Sequence, residues 1–496
     1  MLARIWSLMI LFMFSYSVTA NVIQVEIACP GFFSLVNDLS LGYHGAAFDA
    51  ALTKSNVLYN GVFNFTLTVL LDPVKIRDGL TLDAESVNLI AAWYYRRRDV
   101  SDIVRVIITP GSIDSTNVQQ LMASWNIFSM ITSEGSKSRY NLRAPLLIGL
   151  SFTGIEYIAI TFVDTLRLFN WTSVFLVADS DSLPMFSYVG SEIIKAVIDV
   201  NSETAQTKRI TIVERRVASR NAATFKQQLT IVLREFRGSS RVMIFLARGD
   251  VVRALMMTAH STNMTNGDFV HLAFEVTPIL NRESNITWQQ GAEDDEAARK
   301  AFRSLLLIHA REEERQTLNS LVVQKLEKTV RDHSQQLFNV TYSAAQHPLA
   351  GMISAYRSIE IFAQVLNDSR SQRGVSSIFD GYNLSRMFLN RSFESDLSDI
   401  FIDGTGNRRV ELAVTYFAAD KGGSRQARNT AFRLFEVHSI FPSWLDGKWP
   451  PPNEPRCGYT DLKFDCLQAA LNVTSRVSIS SSGSVLFATA AEARVH

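Results

Sequence analysis

The sequence predicts an α/β fold of two lobes, each a doubly wound, mostly parallel sheet. Three observations predict it. Short apolar runs of strand length alternate with amphipathic stretches of helix length, the pattern of strands joined by crossover helices. The alternation runs from residue 22 to about 150, then starts again at Thr172 over a similar span, which argues for two sheets rather than one large one. The 496 residues are enough for two or more domains of ordinary size.

The elements follow in order. Residues 22–28 read as a first strand, and 41–55 as a helix with small residues on its packing face. Residues 63–71 form a second strand and 84–97 a second helix. A third strand at 103–109 ends in the turn Pro110-Gly111. Residues 118–124 lie in a third helix and 127–131 in a fourth strand. Leu146 to Leu150 then read as a strand, with a helix opening near Thr153. In the second run the strands are 172–178, 209–213, 241–246 and 269–275, with helices at 185–200, 222–236 and 251–262. The third part is helical, broken by polar loops: 293–304, 312–332, 349–366 and 376–389. Asp399 to Asn407, with the corner Gly404-Thr405-Gly406, reads as a β-turn hairpin. After Val410 the pattern is strand-like, with apolar positions at Phe432, Leu434, Phe435 and Val437. The expected division is a first lobe of 21–150 and 279–405 and a second of 151–278 and 406–443.

Composition bounds the function. A hydrophobic fraction of 47% and a charged fraction of 20% describe an ordinary globular protein, and a formal charge of +1 gives no reason to expect nucleic acid as partner. Arg4, an apolar stretch to Tyr16 and the small residues Val18-Thr19-Ala20 have the layout of a cleaved secretory leader, residues 1–20. Nine sequons agree with passage through the secretory pathway: Asn64, Asn170, Asn263, Asn285, Asn339, Asn367, Asn383, Asn390 and Asn472. The only candidate membrane span, 145–163, carries Glu156 near its middle and reads better as strand plus helix. The chain is therefore expected to be secreted or at the cell surface, with any membrane attachment through a segment absent from it.

The run Trp449-Pro450-Pro451-Pro452-Asn453-Glu454-Pro455-Arg456-Cys457-Gly458-Tyr459, followed by Cys466, reads as a stiff extended spacer, since three prolines cannot continue a helix or central strand. Cys457 and Cys466 would close a small disulfide loop in an oxidising compartment. This stalk covers 444–466, and the Ser/Ala-rich tail 467–496 is expected to be disordered.

The stalk resembles the juxtamembrane stretch of the natriuretic peptide receptor and receptor guanylate cyclase family. Asn390-Arg391-Ser392-Phe393-Glu394 and Ile402-Asp403-x-x-Gly406-Asn407-Arg408 are similar to segments of that family. So are Ala298-Arg299-Lys300-Ala301-Phe302 before a Leu-rich strand, Phe338-Asn339-Val340-Thr341, Gly381-Tyr382-Asn383-Leu384-Ser385 and Gly267-Asp268-Phe269-Val270-His271-Leu272. The resemblance covers about residues 22–466 and implies a two-lobed, type I periplasmic-binding-like module crossed three times by the chain. It also implies a homodimer formed through the first lobe and a peptide or small-molecule ligand that shifts the dimer or lobe arrangement. Where that family has Gly-Pro-Gly-Cys, this chain has Thr109-Pro110-Gly111-Ser112. No cysteine lies between Cys29 and Cys457, so two disulfides of the hormone receptors are missing. Cys29 is left over, either buried or paired between chains, and burial is favoured. The resemblance also implies a chloride near Gly111 and Ser112; the bland alternative is a turn with Ser112 capping a helix.

No nucleophile elbow, zinc motif, Walker loop or dinucleotide fingerprint is present, so no enzyme activity, metal or cofactor is expected. Three other readings stand beside the receptor ectodomain. They are a secreted ligand scavenger, an adhesion ectodomain with a vestigial cleft and, more distantly, a glutamate-type receptor module. Doubly wound sheets bind at the carboxyl ends of their strands. That rule nominates Thr109, Pro110, Gly111, Ser112, Ser133, Glu134, Asp179 and Glu275 as cleft residues.

Overall fold

Two sheets carry the chain. The computed structural model describes residues 22–33, 40–97, 102–110, 116–132, 145–151, 154–182, 184–275, 286–310, 320–342, 349–417, 444–445, 449–455 and 458–459. The expected leader and tail, Gly111, Ser112, Ser133, Glu134, Asn285, Cys457, Cys466 and Asn472 lie outside these residues.

The first sheet contains β1 (Ile23–Pro30), β2 (Phe63–Leu70), β3 (Ile103–Thr109), β4 (Phe128–Ile131) and β5 (Leu147–Gly149), all parallel, in the order β2-β1-β3-β4-β5. The second contains β6 (Ser173–Asp179), β7 (Thr211–Val217), β8 (Val242–Leu246), β9 (Val270–Phe274) and β10 (Leu305–Ala310), also parallel. Two short strands, β11 (Arg391–Phe393) and β12 (Ile400–Ile402), pair with each other. The last strand, β13 (Leu412–Tyr416), is antiparallel on β10 and gives the second sheet the order β13-β10-β9-β8-β6-β7. Each parallel set places its first strand between its second and third. The winding direction therefore reverses beside β1 in one sheet and beside β6 in the other.

Helices cover both faces of each sheet, which explains why strands such as β6 and β8 are continuously apolar. On the first sheet, α1 (Leu41–Leu58), α9 (Leu321–Phe338) and α10 (Leu349–Arg373) close one face over Val25, Ile27, Phe128 and Ile148. The other face meets α2 (Gly79–Arg97) and α3 (Thr116–Trp125) through Ile90, Trp93 and Met122. On the second sheet, α4 (Ile155–Leu168) and α5 (Pro184–Glu203) cover one face. The other is covered by α6 (Ala222–Arg237), α7 (Gly249–Ser261) and α8 (Asp295–Phe302). The helix α1 starts where Ser40 caps it, its Oγ accepting from the Gly42 amide. Its small face lets α9 approach: a Cβ at Gly45 would stand 2.9 Å from the Phe338 ring. Cys29 is fully buried in this core as a free thiol, in line with the favoured reading. Burial pushes its pKa up, well out of the reactive range.

Several elements differ from expectation. Residues 295–310 were expected in the first lobe, but β10 pairs with β9 and β13 in the second sheet. The apolar run itself does not say which sheet it joins, since its partner β13 lies about 100 residues later in the chain. The helix expected at 376–389 is a 3-10 turn at Val375–Phe379 followed by α11 (Gly381–Arg386), because Asp380 stops one and caps the other through its side chain. The expected hairpin at 399–407 turns where anticipated, but β12 pairs with the preceding β11 and makes only a bridge, Ile402 to Arg408, across the turn. The strand expected at 209–213 begins and ends later, at Thr211 and Val217, because Asn201 holds the backbone of Ile210 at both its N–H and its C=O.

The proline-rich segment is not a free spacer over its described residues. Asn453 Oδ1 accepts from the amides of Thr172 (2.7 Å) and Ser173 (3.0 Å), and its Nδ2 donates to Thr172 Oγ1 (2.9 Å). Trp171 Nε1 donates to the Pro451 carbonyl (3.0 Å). Trp444 and Trp449 pack against the core under α4, Trp444 donating to the Gly267 carbonyl (2.9 Å). A run that cannot enter a sheet thus docks on the amino edge of β6 by side-chain hydrogen bonds and indole burial.

Candidate functional site

The carboxyl edges of the two sheets, where the winding reverses, are the geometric place for a ligand crevice. On the first sheet this edge carries the end of β1, followed by Gly31, Phe32 and Phe33, and the end of β3. Phe33 is an exposed aromatic, 39% accessible, packed at 5.2 Å on Phe338. Thr109 is buried, and its carbonyl accepts from both the amide and the hydroxyl of Thr132 (3.0 and 3.1 Å), which binds the ends of β3 and β4 together. Pro110 is also buried. Gly111, Ser112, Ser133 and Glu134, and with them the expected chloride nest, lie outside the described residues.

On the second sheet Asp179 ends β6 at 1% exposure. Its carboxylate accepts from Ser182 Oγ (2.6 Å), Ser219 Oγ (2.7 Å), the Ser219 amide (3.0 Å) and the Asp181 amide (3.4 Å). A carboxylate so committed braces the loops after β6 and β7 and has little acceptor capacity left for a ligand. Ser182 Oγ in turn accepts from the Arg248 amide (3.1 Å), which adds the loop after β8. The groups this brace presents are Arg220, beside Asp181, and Arg248, paired with Asp250 at 2.7 Å. Glu275, beyond β9, is buried; its amide donates to the Ile308 carbonyl (2.9 Å) and its Oε1 accepts from the Ile286 amide (3.4 Å). Asp179 and Glu275 thus share one sheet edge with Arg220 and Arg248, which sequence reasoning did not select. Ser182 and Ser219 were also missed; neither follows a motif, and only the fold brings them to Asp179.

Between the sheets the chain passes from β5 into α4 and, later, in the same direction from β12 into β13, and these two crossings are tied side by side. The Gly149 amide donates to the Gly406 carbonyl (2.8 Å), and the Arg408 amide to the Gly149 carbonyl (2.7 Å). Asp403 organises the turn: Oδ1 accepts from the Thr405 amide (2.8 Å), the Thr405 hydroxyl (2.7 Å) and the Asn407 amide (3.0 Å). Its Oδ2 accepts from Tyr157 OH on α4. Burial, and then the neighbouring Asp403, push the Tyr157 phenol up. Asn407 Nδ2 donates to Glu156 Oε2 (3.2 Å). Gly406 sits at φ +85°, where a side chain is strained. A Cβ on Gly149 would lie 2.5 Å from Asn407 Oδ1. The segment Ile402-Asp403-x-x-Gly406-Asn407-Arg408 is therefore a strap across the two crossings, called the hinge strap below for their position between the sheets.

Among the described residues no group of three or more His, Cys, Asp or Glu could hold a metal, and no helix is long and apolar enough to cross a membrane.

A model of the receptor family ligand binding region matches residues 45–415, from α1 to β13. The chain belongs to this family. Its two-sheet α/β architecture is that of a periplasmic-binding-like receptor domain. A receptor-type guanylate cyclase, gcy-28, of Caenorhabditis elegans is 28% identical over 260 residues, 48% of this chain and 18% of that protein. Atrial natriuretic peptide receptor 3 of Mus musculus is 24% identical over 197 residues, 39% of this chain and 34% of the receptor. Atrial natriuretic peptide receptor 2 of Homo sapiens is 22% identical over 258 residues, 49% of this chain and 23% of that receptor. The matches thus span roughly a fifth to a third of these relatives. The shared family is a ligand-binding region rather than a catalytic one.

Proposed function

We propose that this chain is the extracellular ligand-binding region of a receptor of the natriuretic peptide receptor and receptor guanylate cyclase type. It binds a peptide or small ligand, dimerises through the first lobe and responds by rearrangement of lobes or dimer. The observation that carries the reading is the hinge strap. Two doubly wound sheets are joined by paired crossings, Gly149 with Gly406 and Arg408, inside the region matched to the ligand-binding family. Two lobes so joined have a crevice whose width a ligand can select, and differential affinity for two arrangements is what shifts an equilibrium.

The test is calorimetric titration and thermal shift of the secreted chain. The probes are a synthetic atrial natriuretic peptide and, separately, a panel of free amino acids. Saturable binding is expected, with a rise in Tm that grows with ligand concentration as binding to the folded state requires. Sedimentation of the same samples reads the dimer. If neither probe class binds and the chain stays monomeric at micromolar concentration, the receptor reading falls and the vestigial-cleft alternative takes its place.

A further inference from the structure

Five asparagines among the described residues adopt left-handed backbone conformations: Asn126, Asn170, Asn263, Asn339 and Asn390, with φ between 52° and 58°. The conformation alone explains an asparagine, since its short polar side chain tolerates this region better than other non-glycine residues. It does not explain the residue two places on. Four of the five are followed there by Ser or Thr, namely Thr172, Thr265, Thr341 and Ser392. The exception, Asn126, uses its amide inside the fold. Its Nδ2 donates to Asp380 Oδ1 (3.1 Å) and its Oδ1 accepts from the Tyr382 amide (3.0 Å).

The four are built differently from Asn126. All are exposed. Asn170, Asn263 and Asn339 end α4, α7 and α9, and their backbone N–H groups are satisfied by carbonyls of the preceding turn. At Asn339 the side-chain oxygen accepts from Gln335 Nε2 (3.0 Å), and Nδ2 is not the bonded atom of that pair. Two further sequons differ at the asparagine itself; a bonded hydroxyl two places on is common to both groups, since Thr172 Oγ1 accepts from Asn453 Nδ2 (2.9 Å) and Thr265 Oγ1 pairs with His260 Nδ1 (2.8 Å). Asn383 has its Nδ2 donated to Asp380 Oδ2 (2.8 Å) within the cap of α11, and its Ser385 is fully buried, donating to the Pro145 carbonyl (2.7 Å). Asn367 lies within α10, and its Ser369 is fully buried against Ser377 Oγ (2.8 Å).

We propose that Asn170, Asn263, Asn339 and Asn390 are N-glycosylation sites and that Asn367 and Asn383 are not. The inference rests on the extracellular reading above. In the transfer, Nδ2 loses a proton and bonds to the anomeric carbon of a lipid-pyrophosphate-linked oligosaccharide, whose carbon–oxygen bond breaks to release the lipid pyrophosphate. An exposed asparagine on a tight turn accepts this substituent at little cost to the fold. At Asn383 the sugar would displace a capping bond, and at Asn367 it would branch from a helix packed on two sides. Asn170 and Asn263 precede β6 and β9, at the amino edge of the second sheet. Sugar there leaves the carboxyl edge, with Arg220 and Arg248, open.

The full chain would be secreted from insect cells, released from glycans by amidase in water enriched in oxygen-18, and mapped by peptide mass spectrometry. Labelled aspartate is expected at positions 170, 263, 339 and 390, with 367 and 383 unlabelled. Single Asn→Gln variants at the four should each lose one glycan in gel mobility and keep the parent's circular dichroism melt. Label at 367 or 383, or an unlabelled position among the four while Asn64 is labelled, overturns the assignment. If the chain stays inside the cell with every sequon unlabelled, the extracellular reading itself fails, and this inference with it.

Discussion

Replacing Asp403 with alanine should loosen the hinge strap by an amount that can be worked from its contacts. The carboxylate accepts from the Thr405 amide and hydroxyl, the Asn407 amide and Tyr157 OH. Thr405 is exposed, so its groups regain water and contribute about 0.5 kcal/mol; the half-buried Asn407 amide and Tyr157 phenol each lose about 1 kcal/mol. The sum is a loss of about 2–3 kcal/mol. Tyr157→Phe removes only one of these bonds and should cost about 1 kcal/mol, and the double variant should cost little more than Asp403→Ala alone. A coupling of about 1 kcal/mol is the signature of a direct contact. Urea denaturation followed by circular dichroism measures the energies, and hydrogen exchange at the Gly149 and Arg408 amides measures the strap itself. Additive costs with unchanged exchange at those amides would refute the reasoning, because the turn would then stand without Asp403.

Three further outcomes are expected. Gly381→Ala would bring a Cβ to 2.5 Å from the Asn126 carbonyl oxygen and 2.8 Å from the Phe128 amide, both backbone atoms. The melt should therefore reveal a loss of about 1–3 kcal/mol. Burial holds His271 neutral, its pKa pushed down to about 4 from 6.5. A folded value below the unfolded one means the stability is present above about pH 6.5 and is lost as pH falls towards 4. The slope approaches one proton, about 1.4 kcal/mol per pH unit, and denaturation across that window should be flatter for His271→Leu. Asn453→Ala leaves the amides of Thr172 and Ser173 without their shared acceptor. Their hydrogen exchange should quicken, with a stability loss of about 1–3 kcal/mol.

The doubly wound strands were legible because burial on both faces leaves a continuous apolar run, as in β6 and β8. The strand β10 was legible as a Leu-rich run, but its sheet was not, because its partner β13 lies about 100 residues later in the chain. Asp380 marks a helix start only once its side chain is seen to accept from the amides of Tyr382 and Asn383. The strap residues were visible as a motif, but their role was not. Their partners Gly149 and Tyr157 lie some 250 residues earlier in the chain, and no local pattern reports a contact of that range. Asp179 was placed at the right strand end from winding alone; that its carboxylate is filled by Ser182 and Ser219 depends on loops whose course the sequence does not show.

The docking of Asn453 and the indoles of Trp171, Trp444 and Trp449 has a mechanical meaning. The hinge strap lies at the carboxyl edge of the sheets, whereas the proline segment is pinned at the amino edge of β6, about 20 Å away along the strand. Under the proposed rearrangement of lobes, the second lobe would act as a lever pivoted near one end. A rotation of about 10° at the strap would sweep the pinned segment through about 3–4 Å over that strand length. Three prolines and a bidentate asparagine leave little slack, so such a rotation would carry the segment up to Pro455 along with the start of β6.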